Sequence, residues 1–425
     1  MYANFLLNFL GTGIIFLQYF LTFCKNITLM VQKCRVGTEP WGKENLLMIF
    51  VDLSTFVQTL KVIFSRKWRS PKRILWTCIS LFFVTTVYTL NVIFRLMDEI
   101  LFHGYRKMTI RPPLIIAANP RSGTTYLHRL LCLDGESFTY FRLYHTIFPS
   151  ITLYRIFDFF AWIDTRTGRT LSKFIEWMNR LFFGGWEHIH TMGLDRAEED
   201  EALFLYNFAT PALYMLFPVF RDVASLRFAD SLPEWKQKEI ARYYRRSVQR
   251  FLYATGSEQK IFLLKSVLFN SRMKIVTSVF PDARVVYLVR NPYEVLPSTI
   301  NMFTKMWKLH SPEIPKDSDV TREWARLGID YYRYFHDNRN LMDRSNYLAL
   351  LYSDLVLDPV GMVKKIYDTF NMTMSRELLD RLENEAGENN NFKSNHDYSL
   401  EEYGIDREWV YNELRDIFDE YGLEP

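Results

Sequence analysis

The residues best suited to chemistry form the run Asn119-Pro120-Arg121-Ser122-Gly123-Thr124-Thr125, between a strand-like and a helix-like segment. Backbone N–H groups at a helix start, aided by the helix dipole, favour an anion at that point. Gly123 lets the backbone approach closely, Thr124 and Thr125 add hydroxyl donors, and Arg121 offers a planar fork for phosphate or sulfate. A plain strand–turn–helix with a capping Ser or Thr would not need all three features. The run lacks the Gly-Lys-Ser/Thr ending of a Walker loop, which argues against an ATP or GTP hydrolase. A second cluster is Val285-Val286-Tyr287-Leu288-Val289-Arg290-Asn291-Pro292, with Ser298 on the segment that follows. An Arg at the C-terminal end of a strand faces the ligand crevice of an open parallel sheet. Arg290 and Ser298 can then hold one phosphate between them.

The elements that must position these residues are readable from periodicity. Short apolar runs at 114–118, 261–264, 285–289 and 347–352 predict strands. Helical patterns are predicted over 124–133, 272–280 and 359–370. Strands alternating with helices predict an α/β fold, a P-loop-like parallel sheet flanked by helices, with right-handed crossovers. The stretch 154–250 is mostly helical and aromatic and reads as an insert or cap that carries acceptor specificity. Residues 112–425 thus form one domain, preceded by a membrane region over 1–111.

With these motifs in place, the chain resembles the sulfotransferases that use 3′-phosphoadenylyl sulfate (PAPS). The likeness runs from about Pro113 to Tyr403. It includes Pro281-Asp282-Ala283-Arg284, Glu199-Asp200-Glu201, Tyr352-Ser353-Asp354-Leu355, and His396 followed by Tyr398-Ser399-Leu400-Glu401. It is nearest the broad branch common in bacteria and some eukaryotes, rather than the soluble aryl enzymes. The resemblance implies that Arg121, Ser122, Gly123, Thr124 and Thr125 bind the 5′-phosphosulfate, and that Arg290 and Ser298 bind the 3′-phosphate. Lys265-Ser266 fits a Lys-Ser-Pro pattern of this branch, except that Val267 replaces the Pro. Lys265 would balance charge on the transferring sulfuryl group.

The reaction also needs a base for the acceptor's proton. His145 is placed first, because related enzymes often carry a basic Glu in its region. Glu199 is second, within Glu198-Glu199-Asp200-Glu201, a run that is either a solvated helix face or the acidic block of the branch. His188 and His190 read as pocket or cap residues. No ligand set at suitable spacing suggests zinc.

The first hundred residues point to a membrane. Residues 5–24 are charge-free and apolar, 74–94 form a second run of bilayer length, and 46–64 reads as interfacial or a weaker third span. Arg66, Lys67, Arg69, Lys72 and Arg73 precede the second run, so the positive-inside rule predicts a multi-pass protein whose domain after Phe94 is lumenal, as in the Golgi. A lumenal domain implies a glycan or glycolipid acceptor; a cytosolic one implies a membrane lipid or small hydroxylated metabolite.

The 425 residues carry 52 basic and 48 acidic side chains, for a net charge of +4. That balance is too mild to argue for a nucleic-acid partner. Of four cysteines (Cys24, Cys34, Cys78, Cys132), one lies beyond residue 78, which excludes a disulfide framework in the main domain. Two competing readings are a P-loop nucleotide kinase or phosphotransferase, and a non-catalytic membrane protein retaining the fold. The sequence is silent on acceptor identity and oligomeric state.

Overall fold

The computed structural model describes residues 57–61, 70–169, 173, 196–218, 223, 226–389 and 399–425. The apolar run 5–24, most of 46–64, the cations at 66, 67 and 69, His188, His190 and His396 lie outside the described residues.

Five strands form one parallel sheet: β1 Leu114–Ala118, β2 Phe138–Tyr140, β3 Ile261–Ser266, β4 Arg284–Val289 and β5 Tyr347–Leu351. Their order is β2-β3-β1-β4-β5, which puts β1 at the centre with β3 and β4 as its neighbours. Every residue of β1 is buried, as a strand covered on both faces requires. Leu114, Ile116 and Ala118 pack with Leu127, Leu130 and Leu131 of the Thr124–Cys132 helix. Ile115 and Ala117 point the other way, towards Tyr244, Val248 and Phe251.

Those last three belong to the Glu234–Thr255 helix. This segment was expected in the helical insert, but it is a layer of the core beneath the sheet. The expected insert is helical elsewhere too, at Ile151–Arg166, Glu201–Leu205 and Leu213–Leu216. β2 escaped the sequence reading because three residues are too few to show a period.

The apolar run expected over 74–94 belongs to a longer helix, Pro71–Leu101, of 31 residues. Ser70 caps its start, accepting from the Arg73 N–H at 3.2 Å, and Pro71 occupies the first turn where no N–H is needed. Its mean hydropathy reaches 1.8 over the most apolar window. Its polar side chains nevertheless point into the protein. Arg73 donates to Ser311 Oγ at 2.7 Å and Asn91 to the Ile147 carbonyl at 2.8 Å. Arg95 donates to the Pro149 carbonyl and to Ser247 Oγ, both at 3.0 Å. Asp98 accepts from the N–H groups of Ile151 (2.9 Å) and Thr152 (2.8 Å) and pairs with Arg250 at 3.0 Å.

Candidate functional site

Three adjacent strands deliver the site at their C-terminal ends, the edge where ligands of open α/β sheets bind. In the register of the sheet Ile116 lies opposite Lys265, and Ala118 opposite Leu288. Lys265 at the end of β3, the 119–125 turn after β1 and Arg290 after β4 therefore converge on one edge.

The turn needs two left-handed residues, Arg121 at φ 69° and Gly123 at φ 87°. A Cβ at position 123 would stand 2.5 Å from the Tyr352 ring, so both conformation and space require glycine there. A left-handed arginine costs about 1–2 kcal/mol, and cross-ties hold it in place. Arg290 Nη1 donates to the Arg121 carbonyl at 2.8 Å, and Arg121 Nε donates to Ser298 Oγ at 3.1 Å. The two expected anion sites are thus one continuous structure. Ser122 and Thr124 are buried at its base. Arg290 also lies over the Tyr352 ring at 4.2 Å, pairs with Glu294 at 2.6 Å, and has its carbonyl held by Tyr332 OH at 2.7 Å.

Lys265 links this cradle to the acidic run. Its Nζ donates to Thr125 Oγ1 at 3.3 Å and to Glu198 Oε2 at 3.4 Å, and lies 3.8 Å from Glu199 Oε2. The run is not a solvated helix face: Glu198, Asp200 and Glu201 are all buried. Arg272 sits among them, with Nη2 3.3 Å from Asp200 and 2.5 Å from Glu201, while Tyr244 OH donates to Asp200 at 2.8 Å. Burial pushes Asp200 up to about 6 despite Arg272. Glu199 keeps 26% of its side chain exposed. Burial, opposed by Lys265 and reinforced by Glu198, Glu201 and Asp200, raises its carboxyl to about 7. It is the carboxylate of this group that combines access with a carboxyl poised near neutrality.

His145 lies in a different setting. Its Nδ1 accepts from the Arg142 N–H at 3.0 Å, which places the proton of the neutral ring on Nε2. The ring packs against Tyr144, Phe251 and Tyr154 at centroid distances of 4.0, 4.8 and 4.9 Å. Burial, helped by Arg142, lowers it to about 3.

Arg272 and Tyr352 were not singled out from the sequence as site residues. Arg272 lies 71 residues from Glu201, and no spacing rule connects them. The signal was indirect: four consecutive acidic residues, once buried, demand buried cations. Among the described residues no group of three or more His, Cys, Asp or Glu side chains is arranged to hold a metal ion.

A parallel sheet with a tight turn after its central strand, and a lysine between that turn and a buried acidic block, is an arrangement able to receive an anionic ligand and to move a proton beside it. Comparison with known proteins specifies the class. The family model described as "Sulfotransferase family" matches residues 112–376, and the chain belongs to that family. It is a sulfotransferase with PAPS as its co-substrate.

Omega-hydroxy-beta-dihydromenaquinone-9 sulfotransferase Stf3 of Mycobacterium bovis is 26% identical over 317 residues, covering 74% of this chain and 76% of that protein. The protein of the same name from Mycobacterium tuberculosis matches equally. In solved structures the fold is similar to sulfotransferase STF9 of Mycobacterium avium, with TM-score 0.68 and 18% identity over 94% of this chain and 97% of that one. Sulfotransferase STF1 of Mycobacterium tuberculosis gives TM-score 0.64 at 18% identity, covering 92% of this chain and 98% of that one.

Proposed function

We propose that the chain is a membrane-bound enzyme that moves the sulfuryl group of PAPS to a hydroxyl of a lipid acceptor. One observation carries the reading: Lys265 touches Thr125 of the anion turn and, at its other side, the Glu198–Glu199 pair. Arg121 to Thr125 hold the 5′-phosphosulfate and Arg290 with Ser298 the 3′-phosphate, whose oxygens replace Glu294 as the partner of Arg290. The acceptor oxygen attacks sulfur, the bond from sulfur to the phosphate oxygen breaks, and 3′,5′-adenosine bisphosphate leaves. Lys265 stabilises charge on the transferring group, a role in which positioned donors matter most.

Glu199 takes the acceptor's proton. This reverses the order expected from sequence, because His145 has its Nδ1 occupied and a ring that resists protonation. A base works best with its pKa near the working pH, and Glu199 meets that condition. The lipid class is favoured over a free glycan or glycolipid by the Stf3 relatives, whose name specifies an omega-hydroxy menaquinone acceptor.

Calorimetric titration of the detergent-purified chain with 3′,5′-adenosine bisphosphate, beside ATP, tests the donor site. Preference for the bisphosphate is expected, and equal affinity overturns the assignment. Transfer of radiolabelled sulfuryl groups to hydroxylated isoprenoid lipids, glycolipids and oligosaccharides then tests the acceptor class. Labelling of oligosaccharides with none in the isoprenoids rejects the lipid.

A further inference from the structure

The Pro71–Leu101 helix packs Leu81, Val87, Tyr88 and Val92 into the core, keeps most of its charged groups inside with them, and leaves a second apolar side uncovered. Its inward side carries Arg73, Asn91, Arg95 and Asp98, the last two only 3% and 0% exposed. Its outward side carries Ile79, Phe82 and Phe83 and, beyond Thr86, Leu90, Ile93 and Ile100, two stretches of one stripe at helical spacing. Phe83 and Ile100 are 65% and 70% exposed. Contacts with the domain run from Arg73 to Asp98. At 1.5 Å per residue that is about 38 Å of helix, longer than the roughly 30 Å hydrocarbon core of a bilayer. A helix fastened along that whole length cannot cross a bilayer unless the domain, with its charged site, crosses beside it.

We infer that this helix does not span: it lies in the plane of a lipid bilayer, with its outward stripe in the acyl boundary and the sulfotransferase domain seated above it. The adjoining Ile151–Arg166 helix continues the surface with Phe159, Phe160 and Trp162, exposed at 57%, 49% and 52%. Arg166 lies over the Trp162 ring at 3.8 Å, the pairing of an amphipathic ring and a cation that suits headgroup depth. Arg155 and Asp158, exposed on the same helix, keep it at that depth rather than deeper. Lys72 and Lys308, exposed where the two chain segments meet at Arg73 and Ser311, complement anionic headgroups at the other end. The occupant is therefore a lipid surface, since the apolar stripe and its basic ends match both layers of one.

The inference rests on the membrane-bound reading and removes the basis for a lumenal domain. Without a crossing at 71–101, the domain lies on the same side as the basic segment 66–73.

The test uses the full chain with Cys24, Cys34, Cys78 and Cys132 replaced by alanine. Lys72→Cys and His103→Cys, made singly, are exposed to a membrane-impermeant maleimide on sealed vesicles. Retained binding of the bisphosphate shows that each variant is folded. Both cysteines reacting from one side of the vesicle is expected; labelling from opposite sides overturns the inference. In a further variant, Ile93→Cys carries an environment-sensitive fluorophore. Blue-shifted emission, quenched by phospholipids spin-labelled near the headgroup, is expected, and emission typical of water overturns it. Recovery of the parent chain in the supernatant after vesicle sedimentation defeats the membrane reading itself. Loss of bisphosphate preference would defeat only the donor assignment.

Discussion

The anion cradle and the acidic block each set an arginine against oxygen atoms, yet they treat it differently. Arg290 is partly open to water and its partner Glu294 is 55% exposed. Arg272 is fully enclosed, with two buried carboxylates and the Phe204 ring 3.8 Å below its guanidinium. An exposed pair is worth about 0–1 kcal/mol and is readily exchanged for another anion. A buried pair cannot be opened cheaply, since removing one partner strands the other charge. In the function proposed above, the cradle changes partners and the block keeps them: one binds, the other positions.

Substitutions at the two regions should separate these roles. The largest effect is expected at Glu199→Gln, where turnover falls ~10²–10⁴-fold, the usual share of a general base, while calorimetry finds bisphosphate affinity unchanged. In the parent, turnover should fall as pH drops through about 7, because the base must be deprotonated to act. The Gln variant should lose that limb. His145→Ala should keep the limb and most of the turnover; its loss there would return His145 to the role of base.

Arg272→Met should cost about 3–5 kcal/mol in chemical denaturation by stranding Asp200 and Glu201. Asp200 is already raised to about 6 in the fold, so folding favours its protonated form. Arg272 holds that value down, so without it the carboxyl takes its proton at higher pH; the deficit should therefore shrink as pH falls towards about 6, and a deficit independent of pH would argue against stranded charge.

Next in size, Arg290→Ala should weaken bisphosphate binding about 10- to 10²-fold, equivalent to the 1.5–3 kcal/mol of a charge-assisted hydrogen bond. Smallest is Glu294→Gln, which should tighten binding by about five-fold or less by removing a competing carboxylate worth up to ~1 kcal/mol. Weaker binding in that variant would erase the contrast between exchangeable and fixed partners.

The cradle was legible because a strand, a turn and a helix start follow one another in the chain, and each imposes local residue choices. β1, β3, β4 and β5 were readable for the same reason, as buried parallel strands are near-continuous apolar runs. The block was only half legible. Its carboxylates are consecutive, but the cation that decides their burial arrives from Arg272, across the fold. The setting of His145 was not legible, because position relative to the first helix does not reveal which ring nitrogen the backbone will occupy.

The Pro71–Leu101 helix is a different case. Length and lack of charge over 74–94 carry no direction, whereas Arg73, Thr77, Ser80, Asn91, Arg95 and Asp98 recur at helical spacing and all are buried.

The strand order also governs when this protein acquires its ligand site. β1 is central, but its flanking strands come much later in the chain: Thr125 and Lys265 are 140 residues apart, and Arg121 and Arg290 are 169 apart. Such distant closures are slow to form in folding, so the proposed donor site does not exist until β3 and β4 have both docked. A nucleotide held there would recognise only the finished sheet and by mass action stabilise that state alone. For the nascent chain, donor binding at this place would act as a late seal on assembly, engaging after the last long-range strand pairings around β1 are made.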